Sequence, residues 1–586
     1  MGNLFETYTF DKGINLKKNN TLFLSEGELA SCSGLVYDYD GVLTCRPEKT
    51  QGSEIDVSTD TGVYGGVINS TINGIHRDQS SIWASSKKSC PGGQSFFNTI
   101  YHRGTSDTSF TKVGTLLGNT RPKFIDYENF TFIIDGSTER ALIGANIYNR
   151  NVDMPDHYPS ATGTNAGDPS GAYYLYVTFE VHFSNDKVVE SAPSLGGGIT
   201  VSSKKIDWKD IPCSNYSGTG ITIFRNLYRT VDGIAYLVDT IRDNTTTTYT
   251  GDNIADSVLQ TNPELSTGSY EVPDICVTDM EIYLQRVFTV KTKSMNWSEP
   301  YLPFNELLNE NAVVTKDGEN LYSVVSWGDQ LYMASKRQWY RLQGNDPTTW
   351  SKKETWTDNG IINSKTLKKT RFGLIGLWFD GIYLFDGSKT RNLTEKILGT
   401  VFFTSIPDTS LCYSDFDGKK YFFYYPVDVL GTMACIVLDF TYFSDNGFRI
   451  YSDDFVATAR EYHKDSGITY FAKSGYEYSE SGTETISTYL QTGDKGFQSL
   501  AKRKNLEYIH YEINTGGVDT VISFYVDGVL SSYTLTLNTS SQVRKRSGKL
   551  PIDLEGYKFN LKIACANSSN LKIYSPWILE ATAVGD

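Results

Sequence analysis

The chain carries no apolar run approaching membrane-spanning length, and no charged segment followed by an apolar one at its start. These two absences lead to the expectation of a soluble protein made in a cytosol. Gly2 opens no myristoylation signal, because Glu6 stands where Ser or Thr is wanted. Eight cysteines contain no Cys-x-x-Cys pair, and His76, His102, His157, His182, His463 and His510 share no metal-ligand spacing, so the familiar zinc and redox signatures are missing. Only Cys32 and Cys45 lie close enough to suggest a disulfide, and a cytosolic origin argues for reduced thiols. Positive charge is also scarce: 54 Lys and Arg against 68 Asp and Glu leave a net charge of −14. A protein that grips nucleic acid shows a basic patch, and the compact one here, Arg544-Lys545-Arg546 with Lys549 close by, reads as a solvated turn. There is no Gly-x-Ser-x-Gly elbow, and Gly196-Gly197-Gly198 lacks the Lys-Ser and helix of a phosphate loop, so it reads as a flexible linker.

Aromatic residues and tight turns are abundant instead. Phe, Trp and Tyr make up 13% of the chain, a share that suits strands and interfaces alike. In LWFDGIYLFDGSKTRNLTEKI, residues 377 to 397, Asp380-Gly381 and Asp386-Gly387 are each set between aromatic and β-branched residues. Asp-Gly is a favoured hairpin centre because both residues tolerate positive φ. The pair recurs at Asp40-Gly41, Asp135-Gly136, Asp232-Gly233, Asp317-Gly318, Asp417-Gly418 and Asp527-Gly528, near runs such as FTFIID and YFFYYP. Short strands joined by tight turns indicate an all-β protein. Asp40, Gly41, Asp380, Gly381, Asp386 and Gly387 are therefore read as structural hairpin residues, with Gly381 and Gly387 expected in left-handed backbone.

At 586 residues several domains are expected. Residues 1–172 hold an N-terminal segment and the first blade-like strands, with 151–172, rich in turn residues, read as a long loop. In YYLYVTFEVHF, from Tyr173, strict alternation marks a half-buried strand with His182 on the polar side, and residues 173–262 fit a small β-sandwich. Blade-like strand pairs return over 263–475, and 476–586 reads as a C-terminal β region, a closing blade or a sandwich.

Several stretches carry a family resemblance: GELASCSGLVYDYDGVLTCRPEKTQ with its Arg46-Pro47, FRNLYRTVDGIAYLVDTIRDNTTTTYTGD, and the series NWSEPYLP, VVSWGDQLYMASKRQWYRLQGNDPTTW, TDNGIINSKTL and GLWFDGIYLFDG. The chain thereby resembles the tail nozzle proteins of short-tailed bacteriophages, also called tail tubular protein B or packaged-DNA stabilisation proteins. The resemblance implies an all-β fold, a β-propeller with an inserted fibronectin- or immunoglobulin-like β-sandwich and a C-terminal β domain. It implies a structural virion protein at the tail tip, made in the host bacterial cytoplasm, that retains packaged DNA and forms its exit channel. The implied partners are further copies of the chain in a ring, expected as a hexamer, a tail adaptor or tubular protein, and tail fibre, spike or needle proteins. Genomic duplex DNA would pass without specific binding and no membrane would be entered. No cofactor and no catalytic residue belong to the family, so the chain is expected not to be an enzyme. Its compact size puts an extra fibre-docking insertion in doubt.

The rival class is a glycan-binding or glycan-cleaving β-propeller serving receptor recognition. Its sialidase-type Asp-box is met in part by Ser58-Thr59-Asp60-Thr61-Gly62, but Gly65 stands where an aromatic is wanted.

Overall fold

The computed structural model describes residues 4–584 apart from 11, 16, 18–23, 25–27, 38–41, 47–48, 56–69, 79, 90–95, 119, 129, 151, 268–269, 272–276, 316–317, 356, 445–446, 475, 481–485, 498–499, 552–553 and 569. Over these residues the protein is all-β, with two short α-helices at Asp256–Leu259 and Gly399–Thr404. Among the described residues no helix is long and apolar enough to cross a membrane. The chain divides into two compact units, residues 1–57, 71–77 and 356–586 in one, 58–70 and 78–355 in the other.

In the first unit, Lys368–Thr370, Gly373–Trp378, Gly381–Phe385 and Thr390–Asn392 form a four-stranded antiparallel meander of the kind that makes a propeller blade. Tyr413–Phe416, Lys420–Pro426, Met433–Ser444 and Gly447–Asp453 form a second. In a third, Ala459–His463, Ile468–Lys473 and Tyr476–Ser479 take their fourth strand, Thr50–Glu54, from near the N-terminus. An early strand thus completes a late meander. The earliest residues are also built into the C-terminal sheets. Leu4–Tyr8 runs antiparallel to Lys572–Ala583, and Glu28–Ser33, from the GELAS stretch, lies between Gly447–Asp453 and Ile486–Thr492. One apolar core holds them together, with Tyr8, Phe10, Leu29 and Leu35 packed among Ile509, Leu561 and Trp577.

The second unit contains the meander Lys123–Tyr127, Phe130–Ile134, Glu139–Ile143 and Asn146–Asn149. Two more span Asp279–Val313 and Ser323–Glu354. Between the first of these and the other two lie two sheets face to face. One comprises Ser160–Ala166, Lys204–Lys209 and Tyr249–Asp252. The other is built on Gly171–His182, which pairs with Thr222–Val231 on one side and with Val188–Glu190 and Gly197–Val201 on the other, while Ile234–Ile241 pairs beyond Thr222–Val231. Tyr173, Leu175, Val177, Trp208 and Leu227 fill the space between the sheets.

Two loop readings are corrected here. The expected long loop over 151–172 contains the strand Ser160–Ala166, an edge strand whose sequence SATGTNA has no apolar alternation to betray it. It is held by backbone pairing to Lys204–Lys209, with a register shift between Gly163 and Ala166. Gly196-Gly197-Gly198 is no linker either: Gly197 and Gly198 begin a strand paired with Leu175 and Tyr174.

Candidate functional site

The Asp-Gly turns fall into distinct geometries. Asp232-Gly233 and Asp527-Gly528 have positive φ at both residues, 53° and 88° in one pair and 52° and 85° in the other, as a two-residue hairpin turn requires. At Asp386-Gly387 only Gly387 is left-handed, with φ 93°, and the Asp386 carboxylate accepts from the backbone N–H of Ser388 and Lys389. Asp417 caps Lys419 and Lys420, and Asp135 caps Ser137 and Thr138, in the same way. Asp380 sits in the turn between Gly373–Trp378 and Gly381–Phe385, and its Oδ1 accepts from the Tyr383 hydroxyl at 2.9 Å. The left-handed backbone expected at Gly381 is not found. Gly381 lies in a strand where an added Cβ would stand 2.6 Å from the Asn392 side-chain amide, so close approach sets the residue. Asp40-Gly41 and Ser58 to Gly62 lie outside the described residues.

Charged residues converge in the first unit on a cavity of about 60 Å³ lined by Arg46, Lys49, Asp417, Lys420, Asp453 and Glu480, among others. Arg46 is bidentate on Asp454, at 2.6 and 3.2 Å, and lies 3.6 Å from Asp453. Lys49 Nζ is 3.7 Å from Asp453 and 4.3 Å from the ring centres of both Phe455 and Phe471. The fully buried Arg460 donates to Asp415 at 3.0 Å, lies 3.8 Å from Asp417, and stacks on Phe422. Burial lowers the Lys49 amine to about 8 despite Asp453. Burial also raises the Asp417 carboxyl, with Arg460 opposing. For Asp453 burial is outweighed by Lys49 and Arg46, which hold the carboxyl below its ordinary range. The cavity is small, and its charged walls are paired with one another. The arrangement acts as a clamp that ties the early residues Arg46 and Lys49 to the late meanders.

A second polar group lies on the outer face of the sheet built on Gly171–His182. Along Gly171–His182 the side chains of Tyr174, Tyr176, Thr178, Glu180 and His182 share the face opposite the core. Tyr174 is 58% exposed. The Tyr174 and Tyr176 rings lie over Gly198 and Gly196, where an added Cβ would meet them at 3.8 and 3.0 Å. Beside them Glu190 accepts from the Tyr228 hydroxyl at 2.8 Å and from Asn226 Nδ2 at 3.1 Å, and also bonds Thr178. Asn226 Nδ2 reaches Glu180 as well, at 2.8 Å, and Glu180 holds His182 at 2.5 Å. The His182 ring packs on Phe224, 4.5 Å between centroids. His182, on the polar side of the strand, is thus part of a network.

The basic trio lies on the strand Val543–Arg546 and not in a turn. Arg546 donates through Nε and Nη2 to Glu580 Oε2 and stacks on Tyr508, and Arg544 lies 3.9 Å from Glu512. Cys32 is a buried thiol, pushed up to about 12 by burial. Among the described residues no group of three or more His, Cys, Asp or Glu is placed to hold a metal ion.

No protein-family model matches the chain, and no curated protein matches it. Solved structures do. Two are of an exo-β-1,3-galactanase from Phanerochaete chrysosporium. One, with β-1,3-galactotriose, is 8% identical with a TM-score of 0.23, and the match covers 90% of this chain and 99% of that one. The other, with galactose, is 9% identical with a TM-score of 0.22, covering 90% and 100%. A third is the extracellular domain of a one-component system from B. thetaiotaomicron, 8% identical with a TM-score of 0.17, covering 99% and 98%. The expectation that the chain is not an enzyme is corrected by this finding, since glycoside hydrolases stand among its structural neighbours, and that expectation is withdrawn. At such identities and TM-scores the likeness transfers no substrate and no residue role.

Proposed function

We propose that the chain is a tail nozzle protein of a short-tailed bacteriophage, a ring-forming component that retains packaged DNA and forms its exit channel. The observation that carries this reading is the order of the parts. Four-stranded meanders are interrupted by a two-sheet module at the place the resemblance calls for one, and the GELAS strand and Arg46 tie the early chain to the late meanders. The net charge of −14 suits a channel through which a polyanion slides, since attractive phosphate contacts would create friction. The test is a titration of duplex DNA into the protein at low salt. Binding weaker than micromolar is expected; tight binding that falls steeply with salt would overturn the sliding channel.

A second reading, recognition of a glycan, is favoured by one observation: the tyrosine-bearing outer face of the inserted sandwich.

A further inference from the structure

The outer face of the sandwich combines two features that the fold itself does not require. The first is a pair of aromatic rings set beside glycines, Tyr174 by Gly198 and Tyr176 by Gly196. Glycine weakens a strand, and its presence marks close approach by another group. Here Gly198 faces Tyr174 across the ladder, where an added Cβ would reach ordinary contact at 3.8 Å, whereas a Cβ at Gly196 would stand 3.0 Å from the Tyr176 ring and the ring would have to give way. The rings lie against the backbone on one side, and Tyr174 remains more than half exposed. The second feature is the hydrogen-bonded set running alongside. Thr178, Asn226 and Tyr228 are buried and orient the carboxylates of Glu180 and Glu190, while Glu180 and His182 keep 24% and 32% of their side-chain surface. Successive outward residues of a strand stand ~7 Å apart, so Tyr174, Tyr176, Glu180 and His182 form a track along one strand.

We propose that this track is a binding site for a neutral, linear oligosaccharide. Tyr174 and Tyr176 would stack on the C–H faces of sugar rings, and Glu180, His182 and Glu190 would bond their hydroxyls. The negative face of an aromatic ring attracts the weakly positive C–H face of a pyranose. Carboxylates accept two or more hydroxyl bonds each. Charge selects the ligand class: the carboxylates of Glu180 and Glu190 stand against the His182 imidazole and Arg242, whose guanidinium lies over the Phe224 ring that His182 packs on, so the face has no excess of positive charge to hold phosphate or sulfate, which disfavours nucleic acid and acidic glycans. The inference rests on the second reading above and is independent of the tail reading.

The experiment screens the full-length protein against cello-, malto- and laminari-hexaose, with heparin and a polynucleotide as anionic probes, followed by calorimetry on any sugar that binds. Tyr174→Ala with Tyr176→Ala is expected to weaken binding at least tenfold, and Tyr174→Phe to retain it because the ring is kept. Should the double variant fail to fold, hydrogen exchange of the wild-type protein supplies the same information: bound hexaose should slow exchange in 171–182 and 197–201. Neutral sugar binding that is unchanged in a folded double variant, or that protects other segments, overturns this site and leaves the glycan reading standing. Binding of no hexaose overturns both, and preferential binding of heparin or polynucleotide overturns the ligand class.

Discussion

At the scale of the residue, the two Asp-Gly pairs of the 377 to 397 stretch separate into different physical cases. Gly387, at φ 93°, occupies backbone that a β-branched side chain resists, and Gly387→Val should cost about 1 kcal/mol or more in denaturant unfolding. Gly381 is limited by space. Its added Cβ would strike the Asn392 amide, whose Oδ1 caps Thr394 and Glu395. Gly381→Ala should therefore destabilise the wild type, yet cost much less on an Asn392→Ala background. Additive costs in that double-mutant cycle would refute the contact. Lys49 offers a pH test. Its folded value of about 8 lies below the ordinary 10.5, so the unfolded chain holds the extra proton between those values. The cost of burying the charged amine is fully present below pH 8 and fades as pH rises to 10.5. Unfolding free energies of wild type relative to Lys49→Met should thus rise across that window, by up to roughly 3 kcal/mol. Parallel curves would show that Lys49 is not strained by burial.

At the scale of the element, the sandwich is no bead on a string. Phe179, Val181, Phe183 and Ile223 share a core with Phe130, Phe132, Tyr148 and Phe304 of the neighbouring meanders. Excision of the module, with a short Gly/Ser linker in its place, should therefore leave those meanders with an exposed aromatic face and a lower melting temperature. A deletion protein that melts like the wild type would show the shared core to be idle. This element also shows what could be read in advance. The strand from Gly171 to His182 was legible because Tyr173, Leu175, Val177, Phe179 and Val181 alternate with polar residues. Ser160–Ala166 was not, because an edge strand of small polar residues is specified by the backbone of its neighbour. The clamp was illegible for another reason: Arg46 and Asp454 are 408 positions apart, and only the folded chain brings them together. The outer face gave a partial signal, since His182 and Glu180 stood on its polar side, but the Gly196 to Gly198 run pointed to a linker until the tyrosines were seen to lie on it.

Taken as a whole, the molecule is an all-β protein whose early strands are woven into its late sheets. Thr50–Glu54 completes the Ala459–Ser479 meander, and Leu4–Tyr8 runs along Lys572–Ala583. Arg46, Lys49 and Arg460 clamp the same junction with buried charge. Breaking one partner of such a set leaves an unpaired buried charge and is costly. The central claim is the place of this chain in a particle. Under the proposed function, electron microscopy of particles purified from the source that encodes the chain, labelled with antibody against it, is the test to make. Label on a ring at the distal tip of a short tail is the expected result; particles that carry no label, or carry it away from the tail tip, would overturn the reading.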